Sequence, residues 1–422
     1  MKLQKIISRL QRLHPKEIDL SLDRVLNLCK KLGNPQYKIR AISVVGTNGK
    51  YSTIQAIFSI LKEANFKCNI YTSPHIKKIN ERFVFNNQEI RNEELTKLLE
   101  DVEMANDNNP ITFFEILTAA YFYKAAQYTN NINLIETGLF HRFDATNILK
   151  ENLASVVTSI GLDHLDWLPE NEQTVEKIIY EKTSLLLNSN IIVAKQSSNK
   201  ISEQIKQTIS GNKSQKLFFN EEYNYSLNEN EFFYYEDKMG GMKLPSPNVN
   251  GQFQLENVST AIATLRSINQ LKIKEKHIKS GITKIHSIAR LQEINKGKLK
   301  DLIQNNRLLV DGSHNPLGAK VLNEYLESLD CNKHIILGMM ANKDHQKYIS
   351  YFKNISSLTI IDIPNQPSSI KGNELKNKLS KNKNVQYKKS ITEAIKSIQV
   401  EENDLILITG SLYLAGEVLN LN

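Results

Sequence analysis

Along the first half of the chain, short apolar runs closed by polar or glycine-bearing turns alternate with longer segments whose apolar residues recur every three or four positions. Ala41–Val45 is such a run, and Ser52–Ala64 beyond its glycine turn carries helical spacing. Cys68–Tyr71, Ile132–Glu136 and Ala154–Ile160 read as further strands, with Phe113–Ala126 as the helix that leads into Ile132–Glu136. Strand, helix, strand in this rhythm predicts a parallel sheet with crossover helices. At the start, Met1–Leu13 sets Lys, Gln and Arg against Ile and Leu as in an amphipathic helix. It has neither the unbroken apolar centre nor the small-residue cleavage site of a signal peptide.

From Ser214 to Lys243 the character changes. Leu217–Phe219 and Glu231–Tyr235 are aromatic, are separated by polar turn residues and end at Met239-Gly240-Gly241, which predicts a small antiparallel insert. A helix is expected from near Leu255 through Ala261, Ile262 and Leu265. After the polar stretch Ile285–Gly297 the alternation restarts, with strands at Arg307–Val310, His334–Leu337, Ser357–Ile363 and Leu405–Ile408. The whole reads as α/β: an N-terminal P-loop-type, mostly parallel sheet domain with a small antiparallel insert over residues 1–287, then a smaller C-terminal Rossmann-like α/β domain over 288–422. Two domains also suit 422 residues, more than one hydrophobic core usually serves.

Composition narrows the partners. Lys and Arg number 54 against 45 Asp and Glu, a net charge of +9 that would draw small polyanions or merely coat a solvated surface. No basic run interleaves with aromatics, so no nucleic-acid partner is expected. The longest apolar stretches, such as Leu405–Thr409, are too short to span a bilayer, so no membrane is expected. Cys29, Cys68 and Cys331 are too sparse and scattered for a disulfide framework or a zinc site, which suggests a reducing cytoplasm.

The segment Gly46-Thr47-Asn48-Gly49-Lys50-Tyr51-Ser52 lies between a predicted strand and a predicted helix, where a phosphate loop belongs. Its glycines let backbone N–H groups turn toward phosphate, and the helix N-terminus adds partial positive charge. Lys50 would reach the β- and γ-phosphates and the Ser52 hydroxyl a magnesium ion. The common GxxxxGK[ST] pattern is not met: Val44 stands at its first glycine, and the hydroxyl follows the lysine by two residues.

This short loop resembles that of the Mur ligase superfamily, and further blocks resemble its folylpolyglutamate synthase/dihydrofolate synthase family. They are Thr72-Ser73-Pro74-His75 with Asn80-Glu81-Arg82, Thr112-Phe113-Phe114-Glu115, Glu136-Thr137-Gly138-Leu139-Phe140-His141-Arg142-Phe143-Asp144-Ala145-Thr146-Asn147, and Thr158-Ser159-Ile160-Gly161-Leu162-Asp163-His164. Asp311-Gly312-Ser313-His314-Asn315-Pro316, Gly338–Asp344 and Thr409–Tyr413 come after them in family order. The resemblance implies an ATP-dependent ligase that activates a carboxylate as an acyl phosphate and joins it to L-glutamate, the carboxylate being dihydropteroate or a folate.

It also implies roles. Thr47, Asn48, Gly49, Lys50, Tyr51 and Ser52 would bind ATP, joined by Asn257, Arg290, Asp311, His314 and Asn315. Ser73, Glu136 and His164 would share one Mg²⁺ with Ser52 nearby, and Lys182, aligned with a carbamylated lysine, would hold a second. Asp19, Leu20, Ser21 and Leu22, with Thr112–Glu115 and Phe143, Asp144 and Ala145, would form the pterin pocket, although Leu20, Leu22 and Phe113 could equally be core. Lys50, Glu136, His164 and Lys182 are the expected catalytic set. Tyr51 stands where the family has Gly, and Phe140-His141 replace a Gly-Gly pair near the expected acceptor pocket. A monomer is expected. A cell-wall ligase acting on UDP-muramoyl peptides fits less well, since the phosphate loop starts only about forty residues in, too early for a preceding uridine-binding domain. An ATP-binding switch without ligase chemistry would not need Glu136, His164 and Lys182 together.

Overall fold

The strand Arg40–Val45 (β1) is buried over its last five residues, so its Ala-Ile-Ser-Val-Val run need not alternate; both faces are covered, as in a parallel sheet with crossover helices. It lies inside an eight-stranded sheet with Cys68–Tyr71 (β2), Phe83–Phe85 (β3), Gln88–Glu89 (β4), Ile132–Glu136 (β5), Ala154–Val157 (β6), Asn190–Val193 (β7) and Lys216–Phe218 (β8). The order is β4-β3-β2-β5-β1-β6-β7-β8. β1 runs parallel to β5 and β6, pairing Val44 with Glu136 and Val45 with Val157. These three strands therefore end together, and the loops that leave them gather at one edge of the sheet.

The computed structural model describes residues 2–16, 19–227, 232–379 and 385–422. Two compact units divide the chain: Met1–His164, Leu168–Asn248 and Glu256–His286 form the first, and Leu165–Trp167, Val249–Leu255 and Ser287–Asn422 the second.

The first unit's helices are Lys2–Leu10 (α1), Asp23–Lys31 (α2), Lys50–Glu63 (α3), Asn92–Asn106 (α4), Phe113–Ala125 (α5), Val175–Thr183 (α6), Asn199–Thr208 (α7), most of Gln252–Ser267 (α8), and Glu275–Ile282 (α9). α1 begins one residue inside the expected helix, whose Met1 lies outside the described residues. α5 starts with Thr112 as N-cap and Glu115 returning the bond, a capping box that fixes its first turn. Its apolar residues pack with those of α1, α2 and α4 into one core that includes Ile6, Val25, Leu99 and Phe122.

Between β2 and β5 runs a buried amide ladder. Asn69 Nδ2 donates to Asn133 Oδ1 at 3.1 Å, Asn131 Nδ2 to Asn69 Oδ1 at 2.9 Å, and Tyr121 Oη to Asn133 Oδ1 at 2.9 Å.

Two local expectations are corrected. Leu217–Phe219 does not belong to the insert: β8 continues the large sheet, parallel to β7, because Leu217 and Phe218 are both buried against it. The insert is instead a meander of Tyr223–Leu227 (β9), Phe233–Asp237 (β10) and Gly240–Leu244 (β11), with Glu231 of the expected strand outside the described residues. β10 buries Phe233 and Tyr235 and exposes Tyr234 and Glu236. A fork of Arg266 Nε and Nη2 on Asp237, at 2.6 and 2.8 Å, ties the meander to α8.

The second unit holds a six-stranded sheet of Gln292–Glu293 (β12), Arg307–Val310 (β13), Lys333–Leu337 (β14), Ser357–Ile361 (β15), Val385–Lys388 (β16) and Leu405–Thr409 (β17). Its order is β12-β13-β17-β14-β15-β16, with only β12 antiparallel to its neighbour. β12 and β16 went unpredicted: β12 has two residues, and β16 buries only Val385. Among the described residues no helix is long and apolar enough to cross a membrane.

α3 and α9 touch along their backbones. Ser59 Oγ donates to Gly281 O at 2.7 Å, and a Cβ on Gly281 would lie 2.6 Å from the Ile60 Cα. Backbone cannot yield as a side chain would, so we predict that Gly281→Ala lowers stability by about 1–3 kcal/mol through overpacking. The midpoint of urea unfolding measures this, and an unchanged midpoint would contradict the close approach.

Candidate functional site

The loop after β1 is shaped by two glycines. Gly46 has φ +154° and lies against Thr158, whose Oγ1 would sit 2.0 Å from any added Cβ. Gly49, at φ +89°, faces Asn257 of α8, with Oδ1 2.5 Å from an added Cβ. Side chains would therefore be excluded at both positions. The loop is laced to the segment after β6: Thr47 N and Asn48 N donate to Ser159 O at 2.9 and 3.1 Å, and Gly161 N donates to Thr47 Oγ1 at 3.1 Å. Lys50 begins α3, and its Nζ lies 3.1 Å from Gly46 O and 3.3 Å from Thr47 O. Asn257 also meets Thr53, whose Oγ1 is 3.5 Å from its Oδ1. Thr47, Asn48, Gly49, Lys50 and Asn257 are thus brought together, with Ser52 buried in the first turn of α3.

Tyr51 lies in that same turn and has no positive φ. Replacing glycine there imposes no left-handed strain.

Lys182, near the end of α6, is buried at the centre of this arrangement. Its Nζ donates to Gly46 O at 3.0 Å and closely to Leu139 O, bridging the loop after β1 and the loop after β5. Burial pushes its pKa down to about 7, the Lys50 charge acts in the same sense, and Asp163 and Asp144 oppose. Phe140 is buried with its ring 5.5 Å from the Lys182 ammonium, and His141 is buried beside them, its pKa pushed down to about 4 by burial and then by the Lys182 charge. The Phe-His pair expected near an acceptor pocket thus packs around Lys182.

Glu136 closes β5 and is 5% exposed, with Oε2 accepting from Ser73 N at 3.3 Å. His164 has a left-handed φ of +58°, and Asp163 Oδ1 caps its N–H at 2.9 Å. Asp163 was not singled out from the sequence, although it stands inside the motif that carries His164. Nearby, Arg82 Nε donates to His75 Nδ1 at 3.0 Å, which keeps that nitrogen unprotonated; burial, then the Arg82 charge, push this imidazole down to about 4.

Among the described residues no group of three or more His, Cys, Asp or Glu converges to hold a metal. Magnesium bound with a nucleotide commonly takes only one or two protein carboxylates, the remaining ligands being phosphate and water. Glu136, a single carboxylate that meets the Ser73 backbone, suits that kind of site rather than an all-protein cage.

The expected pterin residues divide. Leu22, Phe113 and Phe114 pack against the core and Ala145 is part of it, whereas Leu20 and Phe143 are exposed. Asp144 holds its own loop, accepting from Gly138 N at 2.9 Å and from Thr146 N and Oγ1 at 3.0 and 2.6 Å; burial raises its pKa to about 6. Asp19 and Glu115 are joined by Arg24, which sequence reasoning missed: its Nη1 is 2.8 Å from Asp19 Oδ2 and its Nε 3.0 Å from Glu115 Oε2. Ser21 Oγ accepts from Asp23 N at 3.3 Å, and Thr112 serves as the helix cap.

In the second unit, Asp311 follows β13 and is buried, accepting from Leu291 N and Ser313 N, both at 2.8 Å. Burial raises its pKa, against the Arg290 charge. Ala289 and Leu291 on either side of Arg290 have φ of +53° and +46°. Asn315 caps the helix Pro316–Glu327 (α10), and His314 Nδ1 lies 2.9 Å from Gly312 O.

We predict that Lys182→Met stabilises the fold at neutral pH. A lysine whose folded pKa is near 7 binds fewer protons folded than unfolded between about 7 and 10.5, so wild-type stability should rise with pH across that window. The variant should lack that slope. Parallel stability profiles for the two proteins would refute the depressed pKa. Tyr51→Gly should cost less than about 1 kcal/mol by the same assay, the helix-propensity difference alone.

The Mur ligase middle domain profile matches residues 44–265, and that of the Mur ligase glutamate ligase domain matches 297–412. Dihydrofolate synthase/folylpolyglutamate synthase of Bacillus subtilis (strain 168) is 30% identical over 420 residues, covering 94% of both chains. The structure of E. coli FolC in complex with DHPP and ADP has a TM-score of 0.86 at 27% identity, covering 99% of this chain and 97% of that one. The Yersinia pestis folylpolyglutamate synthase/dihydrofolate synthase complexed with AMPPNP and Mn ion gives 0.86 at 23% identity, covering 99% and 97%.

Proposed function

The chain belongs to the dihydrofolate synthase/folylpolyglutamate synthase family of Mur ligases and is accordingly an ATP-dependent ligase adding glutamate in folate metabolism, and we propose how its own residues carry that reaction. The substrate is dihydropteroate, a (tetrahydro)folate, or both, and the intermediate an acyl phosphate. The carrying observation is the register of β1, which sets Glu136 level with Val44 and so beside the phosphate loop.

ATP lies with its phosphates against the loop Thr47–Ser52 at the start of α3, where the partial charge of the helix favours anions, while the Thr47 and Asn48 N–H groups stay on Ser159 O. Lys50 leaves the carbonyls of Gly46 and Thr47 for the β- and γ-phosphates, and Asn257 steadies the loop at Gly49. Glu136, Ser73, Ser52 and His164 hold a divalent cation. That ion supplies neutralisation of charge on the transferring phosphoryl group. For the second unit we propose nucleotide contacts from Arg290, Asp311, His314 and Asn315. Leu20, Phe143 and the loop of Asp144 border the pterin, with Asp19, Ser21, Leu22 and Thr112–Glu115 behind them. The chain's role is chiefly to align the carboxylate with the γ-phosphate and then with the incoming amine.

Lys182 carries a further proposal. With a pKa near 7, a large share of this amine is neutral at cellular pH, the form that adds CO₂. Carbamylation would exchange a buried cation for an anion with two oxygens, able to hold a second Mg²⁺. The enzyme acts in the cytoplasm.

Purified protein supplied with ATP, Mg²⁺, glutamate and dihydropteroate or tetrahydrofolate should release phosphate only when pterin and glutamate are both present. Release that instead requires a UDP-muramoyl peptide, or that ignores pterin, would overturn the reading. Glu136→Gln should lower kcat on the order of 10²-fold, the size typical of losing one charge-stabilising group. Removing CO₂ should slow the wild type, and bicarbonate should restore it.

A further inference from the structure

Ser73 belongs to a stretch, residues 72–78, without regular secondary structure between β2 and the 3-10 turn Ile79–Arg82. A carboxylate from that turn grips the stretch by its backbone. Glu81 Oε2 accepts from Ile76 N at 2.7 Å and Lys77 N at 3.2 Å, and its Oε1 from Lys77 N and Lys78 N, both at 3.0 Å. Three consecutive N–H groups thus converge on one anion, forming charge-assisted bonds of the stronger class. Arg82 adds a second hold: its Nε binds His75 Nδ1 at 3.0 Å, and its carbonyl accepts from Thr72 N at 3.3 Å.

Capping of the turn would account for the Lys78 bond alone. The bonds to Ile76 and Lys77 are surplus to a cap, and with those to His75 and Thr72 they bracket Ser73 on both sides. Between the two holds, the Ser73 amide donates to Glu136 Oε2 at 3.3 Å.

We propose that Glu81, assisted by Arg82, is a positioning residue for the ligase reaction: it fixes the 72–78 loop so that Ser73 meets Glu136 at the divalent cation. The proposal rests on the metal reading of Ser73 and Glu136 given above. Glu81 itself touches neither cation nor substrate. It acts through the loop, as outer groups fix the geometry of metal ligands elsewhere.

Glu81→Gln keeps the size of the side chain but turns one acceptor into an N–H₂ donor facing backbone donors. The test has two readouts on the full chain: amide hydrogen exchange at residues 76–78 without ligand, and initial ligase rate against Mg²⁺ concentration. We expect exchange at these amides to rise about tenfold or more, with half-saturating Mg²⁺ also raised about tenfold and most of kcat recovered at high Mg²⁺. Unchanged exchange overturns the clamp. Faster exchange with a superimposable Mg²⁺ curve overturns the positioning role and leaves the metal reading intact. Glu136→Gln is run alongside, and wild-type Mg²⁺ dependence in that variant would sink the metal reading and the proposal with it. If Glu81→Gln fails to melt cooperatively, Arg82→Lys, which loses the planar Nε donor to His75, is read by its Mg²⁺ curve alone: a raised half-saturation supports the positioning role and a superimposable curve overturns it.

Discussion

Three parallel strands stopping side by side set the terms for everything else in the first unit. Because Val44 pairs with Glu136 and Val45 with Val157, the glycine loop, the buried carboxylate and the segment leading to His164 leave the sheet together. Backbone then stitches the loops: Thr47 and Asn48 share Ser159 O, and Lys182 spans Gly46 O and Leu139 O. None of these side chains needs to find its neighbour through a flexible linker. Parallel pairing imposes the proximity, and burial of β1, β5 and β6 makes the pairing hard to undo.

Lys182 is where that arrangement is most exacting. A buried ammonium is costly, and the two backbone carbonyls that accept from it offset only part of that cost, as its lowered pKa shows. The Lys50 charge adds to the depression of its pKa, so the two lysines are electrostatically linked. Phe140 and His141 are buried beside the same ammonium, which gives the departure from a glycine pair a packing meaning.

Much of this was legible in the chain because its signals are local. Strand runs such as Cys68–Tyr71 and Ile132–Glu136 match the structure at both ends, since fully buried parallel strands show as short, largely apolar runs, here broken by Asn69, Asn133 and the terminal Glu136. The glycine-shaped turn between β1 and α3 was legible from its glycines and its position. Illegible parts depend on partners distant in sequence. β8 was misassigned because aromatic residues look alike in a meander and at a sheet edge, and β16 escaped notice because an edge strand buries only one side chain. Arg24 gave no signal, since its role comes from Asp19 and Glu115, 91 residues away from it in the second case. Likewise Leu22 and Phe113 could not be divided from Leu20 and Phe143 by spacing, and only packing separates them.

The amide ladder of Asn69, Asn131, Asn133 and Tyr121 bears on more than cohesion. Slide β2 by one position along β5 and each amide would turn to the opposite face, stranding buried donors and acceptors that no solvent reaches. Apolar neighbours would tolerate such a slip far better, as grease has no memory of alignment. The ladder therefore works as a ratchet tooth, admitting a single pairing and thereby deciding where the chain beyond Tyr71 begins its path toward Ser73.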